Sequence, residues 1–139
     1  MINAETQRRG DAEKLENVLS EQIISAAIEV HRTLGGPGLL ESLYEEALYY
    51  ELQLRHILVE SQVIVPVSYK NRILKDPMRM DLLVDRRVII EVKSVDQLHP
   101  VHKAQLLTYL RLTGLKLGLL LNFGQGRLID GIVRIANNL

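Results

Sequence analysis

Apolar positions recur at helical spacing in two segments near the N-terminus. In the first, apolar residues follow one another at intervals of three and four between Ile23 and Leu34, and Ser20 before them is a typical N-cap. The sequence Gly35-Gly36-Pro37-Gly38 should end this helix, because glycine suits a left-handed cap and proline cannot continue a helix. A second amphipathic stretch runs from about Leu39 to Arg55. The pattern therefore predicts a helical hairpin with a Gly-rich turn.

The pattern changes from helical spacing to alternation after this hairpin. Residues 59–70 (VESQVIVPVSYK) are rich in Val and Ile and predict a strand, with Pro66 favouring an edge or a bulge. The polar run from Lys70 to Pro77 is predicted as a loop. Residues 78–84 (MRMDLLV) and 88–93 (VIIEVK) predict two further strands, joined as a hairpin around Asp85-Arg86-Arg87.

The last part of the chain predicts a helix and two strands. Pro100 stands near the start of a third helix, about Val101 to Thr113, which Gly114 closes. Residues 115–123 (LKLGLLLNF) are nearly all apolar and predict a strand buried on both faces. After a Gly-rich turn, residues 127–135 (RLIDGIVRI) predict a final strand or a strand-like end. The helix between strands 88–93 and 115–123 should be a right-handed crossover that makes those two strands parallel.

These elements predict an α/β fold of order α-α-β-β-β-α-β-β, with a mixed central sheet flanked by helices. Residues 1–18 form a polar N-terminal segment, and residues 19–139 are predicted to form a single domain. The length of 139 residues and the 47% hydrophobic content are sufficient for one compact core. The N-terminus lacks the apolar stretch of a signal peptide, and no apolar run reaches the roughly 20 residues that span a bilayer. We expect a cytoplasmic protein with no membrane contact.

Charge and cysteine content narrow the chemistry. The 17 Lys and Arg residues balance 17 Asp and Glu residues, so any nucleic-acid site must be local. The chain contains no cysteine, which excludes disulfides, thiolate zinc sites and a cysteine nucleophile within this sequence.

Three charged residues interrupt the apolar strands of the hairpin at 78–93. Glu91 and Lys93 are two apart and share a face, and Asp81 lies opposite Glu91 if Val84 and Val88 flank a three-residue turn. Two such close carboxylates repel unless one is protonated or a divalent cation binds them. Mg²⁺ takes one or two protein carboxylates together with water and phosphate oxygens. A lysine beside them can orient water and counter charge on a phosphate.

The pattern therefore indicates phosphodiester hydrolysis. The alternative is a hairpin that is simply salt-bridged, with Lys93 paired to Asp81 or Glu91.

The same residues resemble the PD-(D/E)XK nuclease superfamily. The resemblance rests on Asp81, on Glu91-Val92-Lys93 in the hairpin and on Gln105-Leu106-Leu107-Thr108-Tyr109 in the next helix. More narrowly, residues 38–44 (GLLESLY) match the G-x-x-E-x-x-Y signature of the GxxExxY family within that superfamily. The resemblance covers roughly residues 20–135, although Met80 stands where the superfamily pattern often has proline before the aspartate.

The resemblance implies a restriction-endonuclease-like core of order α-β-β-β-α-β, which agrees with the elements above. It implies a Mg²⁺ (or Mn²⁺) ion held by Asp81 and Glu91. The catalytic residues it implies are Asp81, Glu91, the lysine Lys93, the further acid Glu41, and the neighbours Gln105 and Tyr109.

Some of these residues have simpler readings. Glu41 lies in the first turn of its helix, where a carboxylate is favoured by the helix dipole without any further role. Tyr44 and Tyr109 are also expected as half-buried core residues. His99 and His102 flank Pro100 and are expected as a surface pair near a helix start.

Three functions follow as hypotheses. The first is a Mg²⁺-dependent nuclease acting on DNA or RNA. The second is a binding module of the same fold, catalytically weak or inactive, for nucleic acid or a protein partner. The third is a structural protein with a salt-bridged acidic cluster. The neutral net charge favours a small substrate footprint, or a homodimer that enlarges it.

Overall fold

The helices and the strands of the main sheet follow one another along the chain in the predicted order. The computed structural model describes residues 3–139, apart from the side chains of Arg9 and Ala12. Within this range the elements are α1 (Ala4–Thr33), α2 (Glu41–Leu54), β1 (Val59–Val65), β2 (Ser68–Tyr69), β3 (Arg72–Ile73), β4 (Met78–Val84), β5 (Val88–Lys93), α3 (Pro100–Thr113), β6 (Leu117–Asn122), a short 3₁₀ helix (Leu128–Gly131) and β7 (Ile132–Ala136).

Five of the strands form one mixed sheet in the order β1-β4-β5-β6-β7. The pairs β1–β4, β4–β5 and β6–β7 are antiparallel, whereas β5 and β6, which are joined through α3, are parallel. The predicted α/β class, the mixed sheet and the parallel crossover are therefore confirmed. Strands β5 and β6 lie inside the sheet, which is why their sequences are almost continuously apolar.

Helices cover both faces of this sheet and divide the core into two clusters. On one face, α1 and α2 pack through residues such as Ile23, Leu48 and Leu52 against alternate positions of the inner strands. On the other face, Leu106 and Leu110 of α3 pack against a smaller cluster. Two-residue alternation along β5 supplies both clusters, because successive side chains point to opposite faces.

Helix α1 starts sixteen residues before its predicted N-cap. Asn3 caps it, with its side chain accepting the N–H of Thr6 at 2.8 Å, so the prediction of a start at Ser20 is wrong. A capping side chain and helix-compatible polar residues extend a helix without needing a buried face. Residues 1 and 2 of the predicted polar segment lie outside the described residues. None of the helices within residues 3–139 has the length and apolar content needed to cross a membrane.

The segment predicted as the loop Lys70 to Pro77 contains a second, smaller sheet. Strands β2 and β3 pair antiparallel around the turn Lys70-Asn71, whose residues have φ of 47° and 68°. Positive φ at both central residues is the requirement of a two-residue hairpin turn of type I′. The continuous strand predicted for residues 59–70 is likewise wrong, because it divides at Pro66 into β1 and β2. At the other end, the last strand begins only at Ile132, after the 3₁₀ helix.

The Gly-rich turn between α1 and α2 is held by a buried tyrosine. The hydroxyl of Tyr44 donates to the carbonyl of Gly36 at 2.7 Å and accepts the N–H of Leu39 at 3.2 Å. The Tyr44 ring is fully buried and stacks on Phe123 at 4.6 Å between centroids. Gly38 has φ of 120°, a conformation that side-chain-bearing residues rarely adopt. The glycine and tyrosine of the G-x-x-E-x-x-Y motif therefore shape this turn.

Candidate active site

The register of the β4–β5 hairpin brings Asp81 and Glu91 together. Val84 pairs with Val88 and Leu82 with Ile90, which is the predicted register. Beyond Leu82 and Ile90, side-chain hydrogen bonds replace the backbone pairing of β4 with β5. The Asp81 carboxylate accepts the N–H of Val92 at 2.8 Å, and the Glu91 carboxylate accepts the N–H of Asp81 at 3.4 Å. The two acids therefore lie beside each other where the strands separate.

This proximity changes the protonation of Glu91. Its side chain is 8% exposed, and burial is the largest cause that raises its pKa from 4.5 to about 8. The charge of Asp81 raises the same pKa further, while the ammonium group of Lys93 lowers it. In the absence of a cation, one carboxyl group of the pair is therefore protonated at neutral pH.

The β1–β4 ladder is also interrupted at Asp81. Ser61 pairs with Leu82 and Val63 with Met80, so Gln62 faces Asp81, but these two do not pair. Gln62 has a φ of 53°, in the left-handed region, and its side chain donates to the Glu45 carboxylate at 2.8 Å. Asp81 thus lies at a break in the hydrogen bonding to both neighbouring strands.

Side-chain alternation changes phase at the same point. Val59 packs with the cluster under α1 and α2, whereas Val63 and Val65, on the same strand, pack with the cluster under α3. An undisturbed strand would keep residues separated by even intervals on one face. On β4, Leu82 packs with the cluster under α1 and α2, whereas Met80 packs with the cluster under α3. The distortion lets acids from β4, β5 and α2 approach one another.

Glu45 belongs to this group, although the sequence analysis did not select it. Burial raises its pKa most, and the neighbouring charges of Asp81 and Glu41 raise it further, while the hydrogen bond from Gln62 lowers it. Glu45 follows Glu41 by one helical turn on the same face of α2, and this i,i+4 spacing was the signal in the sequence. The position of Asp81 beside α2 could not be predicted from the spacing of residues in the sequence.

Lys93 ends β5 beside this acid cluster. It is half-buried and pairs through its backbone with Asn122 of β6. Among the residues that the structure describes, no carboxylate lies within salt-bridge distance of Lys93, so the alternative of a salt-bridged hairpin is not borne out. The ammonium group acts on Glu91 through its charge and leaves its hydrogen-bonding capacity for a ligand.

A hydrogen-bonded loop fixes the position of Lys93. Asn122 is 1% exposed, and its side-chain oxygen accepts the N–H groups of Val95 and Gly124, both at 3.0 Å. Its amide nitrogen donates to the carbonyl of Val95 at 2.9 Å. Ser94 adds a hydroxyl bond to the carbonyl of Leu39 at 2.8 Å. These bonds hold the end of β5 against both β6 and the start of α2.

Helix α3 contributes the predicted pair Gln105 and Tyr109. The amide of Gln105 donates to the Tyr109 hydroxyl at 3.0 Å, and the Tyr109 ring is 9% exposed. Burial raises the pKa of Tyr109, and the nearby charge of Glu91 raises it further. Tyr109 therefore stays protonated at neutral pH as both a core residue and a neighbour of the acid pair.

The two histidines at the start of α3 cap the helix. His99 Nδ1 accepts the N–H of Val101 at 3.0 Å, and His102 Nδ1 accepts the N–H of His99 at 3.2 Å. The pKa of His102 is lowered, mainly by burial and then by the positive charge of Lys93, while Glu41 raises it. Glu41 and His102 therefore lie on the rim of the site, with Glu41 itself exposed.

The donor set fits a hard divalent cation. Within the described chain, no three His, Cys, Asp or Glu side chains are arranged as a ready metal cage. Mg²⁺ does not need one, because it is usually bound by one or two carboxylates with water and substrate phosphates. Asp81 and Glu91 are such a pair, and the raised pKa of Glu91 marks a carboxylate that a cation would stabilise.

Comparison with known protein families decides the superfamily. The sequence profile of the PD-(D/E)XK nuclease superfamily matches residues 17–135. The chain belongs to the PD-(D/E)XK nuclease superfamily. No curated protein sequence matches it.

A solved structure shares the fold of this chain. The chain titled "Crystal structure of SSO0001" superposes with a TM-score of 0.54 at 23% sequence identity, over 70% of this chain and 50% of that one. Our PD-(D/E)XK chain therefore spans about half the length of that relative, and the likeness concerns the fold. The restriction-endonuclease-like core implied by the sequence is confirmed. Nucleases of this superfamily generally depend on a divalent metal.

Proposed function

We propose that this protein is a Mg²⁺-dependent nuclease that hydrolyses phosphodiester bonds of DNA or RNA, with Asp81, Glu91 and Lys93 as its central residues. The observation that supports it most is the contact between Asp81 and Glu91 where β4 and β5 separate, next to a lysine with no carboxylate partner among the described residues. A structural ion-pair cluster would use Lys93 to neutralise one of the acids.

In this proposal Asp81 and Glu91 hold Mg²⁺, or Mn²⁺ in its place. The ion would supply Lewis-acid stabilisation of charge on the phosphate. Lys93 binds a phosphate oxygen or a water molecule and counters the negative charge that develops as the phosphodiester bond breaks. Glu91 must lose its proton for this role, which the cation favours.

The remaining residues position these three. Glu41 and Glu45 add negative charge on the α2 side of Asp81, where they can hold a water molecule. Tyr109 lies close enough to Glu91 for the charge of that carboxylate to raise its pKa, and Gln105 holds the Tyr109 hydroxyl by a hydrogen bond. We further propose that the chain belongs to the GxxExxY family, since residues 38–44 carry the signature and form the turn that directs α2 at the site.

Metal-dependent cleavage tests this function. The substrates are circular single-stranded DNA, supercoiled DNA and a structured RNA, each with MgCl₂, MnCl₂ or EDTA. We expect cleavage with metal only, and a loss of about a hundredfold or more in Lys93→Ala, since positioned catalytic groups contribute on that scale. Lys103→Ala removes an exposed lysine of α3 and serves as the matched control.

The outcomes separate the functions. Cleavage lost in Lys93→Ala but kept in Lys103→Ala supports the nuclease. Metal-dependent binding of these nucleic acids without any cleavage would instead support a catalytically inactive binding module. A protein that neither binds nor cleaves them, with or without metal, would overturn both.

A further inference from the structure

The β2–β3 hairpin and the first residues of β4 carry a concentration of positive charge that the bulk composition conceals. Residues 66–79 contain four of the 17 Lys and Arg residues and one of the 17 Asp and Glu residues, so their formal net charge is +3 in a chain whose total is zero. The cations are Lys70, Arg72, Lys75 and Arg79, all exposed.

None of these four cations forms a salt bridge with another residue that the structure describes. The hairpin turn between β4 and β5, at the opposite end of the sheet, provides the contrast. Arg86 there pairs with Glu60, and Arg87 pairs with Glu16 and Asp85. One end of the sheet therefore has its arginines neutralised by the fold, and the end that bears the acid pair does not.

An exposed aromatic ring lies among these cations. Tyr69 is 61% exposed, and the ammonium group of Lys70 lies 5.4 Å from its ring centroid. Arg72 is the strand partner of Tyr69 and shares its face of the hairpin. An exposed ring next to cations is the combination by which proteins hold single-stranded nucleic acid, because bases stack on the ring while phosphates meet the charges.

The hairpin leaves the sheet at the end that bears the site. It connects Val65 of β1 to Met78 of β4, and these two residues form the last pair of that ladder, three positions before Asp81. From Asp81 to Arg72 the chain has nine residues, so the two lie within about 30 Å. The tight turn and the bond from the N–H of Leu74 to the carbonyl of Val67 at 2.8 Å order the hairpin before any ligand binds.

We propose that the β2–β3 hairpin holds the single-stranded part of a nucleic acid substrate, with a base stacked on Tyr69 and phosphates bound by Lys70 and Arg72. This inference rests on the proposed nuclease function and adds the substrate form. A single strand is favoured over a duplex because the ring needs an unpaired base.

Binding measured in EDTA tests the hairpin without catalysis. The probe is a fluorescein-labelled single strand of about 16 nucleotides, followed by anisotropy, with the corresponding duplex as comparison. We expect Tyr69→Ala to weaken single-strand binding about tenfold or more and duplex binding much less, with an unchanged salt dependence. Tyr50→Ala is the matched control, since Tyr50 on α2 is also 61% exposed.

The contribution of phosphate contacts to binding is tested by a separate double variant and its control. Lys70→Ala with Arg72→Ala should reduce the slope of log affinity against log salt by about 1.4, because each single-strand phosphate contact contributes about 0.7. Arg111→Ala with Lys116→Ala removes two exposed cations at the other end of α3 and should leave the slope unchanged. Equal binding of polyglutamate and the oligonucleotide would show simple charge attraction and overturn the proposal.

Unchanged single-strand affinity in Tyr69→Ala, or in Lys70→Ala with Arg72→Ala, also overturns it. If cleavage still depends on Lys93, the nuclease function survives that result and only the role of the hairpin is lost. If the hairpin variants instead lose binding to vesicles of phosphatidylserine and not to the oligonucleotide, the surface is a lipid site and the proposal is wrong.

Discussion

Replacing Glu91 with glutamine should stabilise the metal-free protein, and the gain should grow with pH. Glu91 has a pKa of about 8 in the folded protein and 4.5 as its ordinary value. Below pH 4.5 the group is protonated in both states and costs nothing. As pH rises from 4.5 to about 8, Glu91 loses its proton in the unfolded chain but keeps it in the folded protein. The free energy of unfolding therefore falls until Glu91 also ionises in the folded protein near pH 8.

The size of the effect follows from the two pKa values. One pKa unit corresponds to about 1.4 kcal/mol, so the loss is about 1 kcal/mol at pH 5, about 3 at pH 7 and about 5 at pH 9. Glutamine does not titrate and keeps the shape of the protonated side chain. Glu91→Gln should therefore exceed the free energy of unfolding of the wild type by only about 1 kcal/mol at pH 5 and by about 5 kcal/mol at pH 9.

Urea unfolding in EDTA at these three pH values, followed by far-ultraviolet circular dichroism, measures this difference. Around Glu91, the charged groups Asp81, Glu45 and Lys93 remain in both proteins, and Tyr109 stays protonated because its pKa is raised. Their own contributions therefore largely cancel in the comparison. A difference between variant and wild type that is constant from pH 5 to 9 would refute the reasoning. Glu46→Gln, on the exposed side of α2, is the control.

Three further substitutions test the frame around the site by urea unfolding. Tyr44→Phe removes two hydrogen bonds from the Gly-rich turn and should cost about 1 to 2 kcal/mol; a neutral result would contradict that role. Gly124→Ala should cost about 3 kcal/mol, because a Cβ would lie 2.2 Å from the carbonyl oxygen of Val95, whereas Gly126→Ala meets nothing within 4 Å and should be neutral. Asn122→Ala should cost about 3 kcal/mol by leaving buried backbone groups unpaired, and a loss below 1 kcal/mol would count against it.

The element order and the β4–β5 register could be predicted from sequence because both depend on short-range patterns. Apolar periodicity places α2 and the buried strand β6, and a three-residue turn between Val84 and Val88 determines which residues face each other. This register in turn predicts that Asp81 and Glu91 lie close together, as they do in the structure.

The features that the sequence did not predict depend on long-range contacts, or on polar residues that show no periodic pattern. Gln62 adopts a left-handed conformation that its residue type does not favour, and nothing local signals the phase change that follows. The β2–β3 hairpin has Lys70 at a turn position where glycine or asparagine is expected. The sequence therefore predicts a loop for this segment and not a hairpin. The N-terminal extension of α1 lacks an apolar stripe, and helix periodicity therefore cannot detect it.

The hydrogen bond from the N–H of Val92 to Asp81 gives that aspartate a structural role besides the metal-binding role that we propose for it. The Asp81 carboxylate accepts the N–H of Val92, which has no backbone acceptor on β4 at this position. The fold itself therefore requires a hydrogen-bond acceptor in the side chain of residue 81. A homologue without nuclease activity would therefore still need an acceptor at this position. The side chain of Lys93 makes no such structural bond among the described residues, so under the proposed nuclease function its identity is the better indicator of whether a homologue is active.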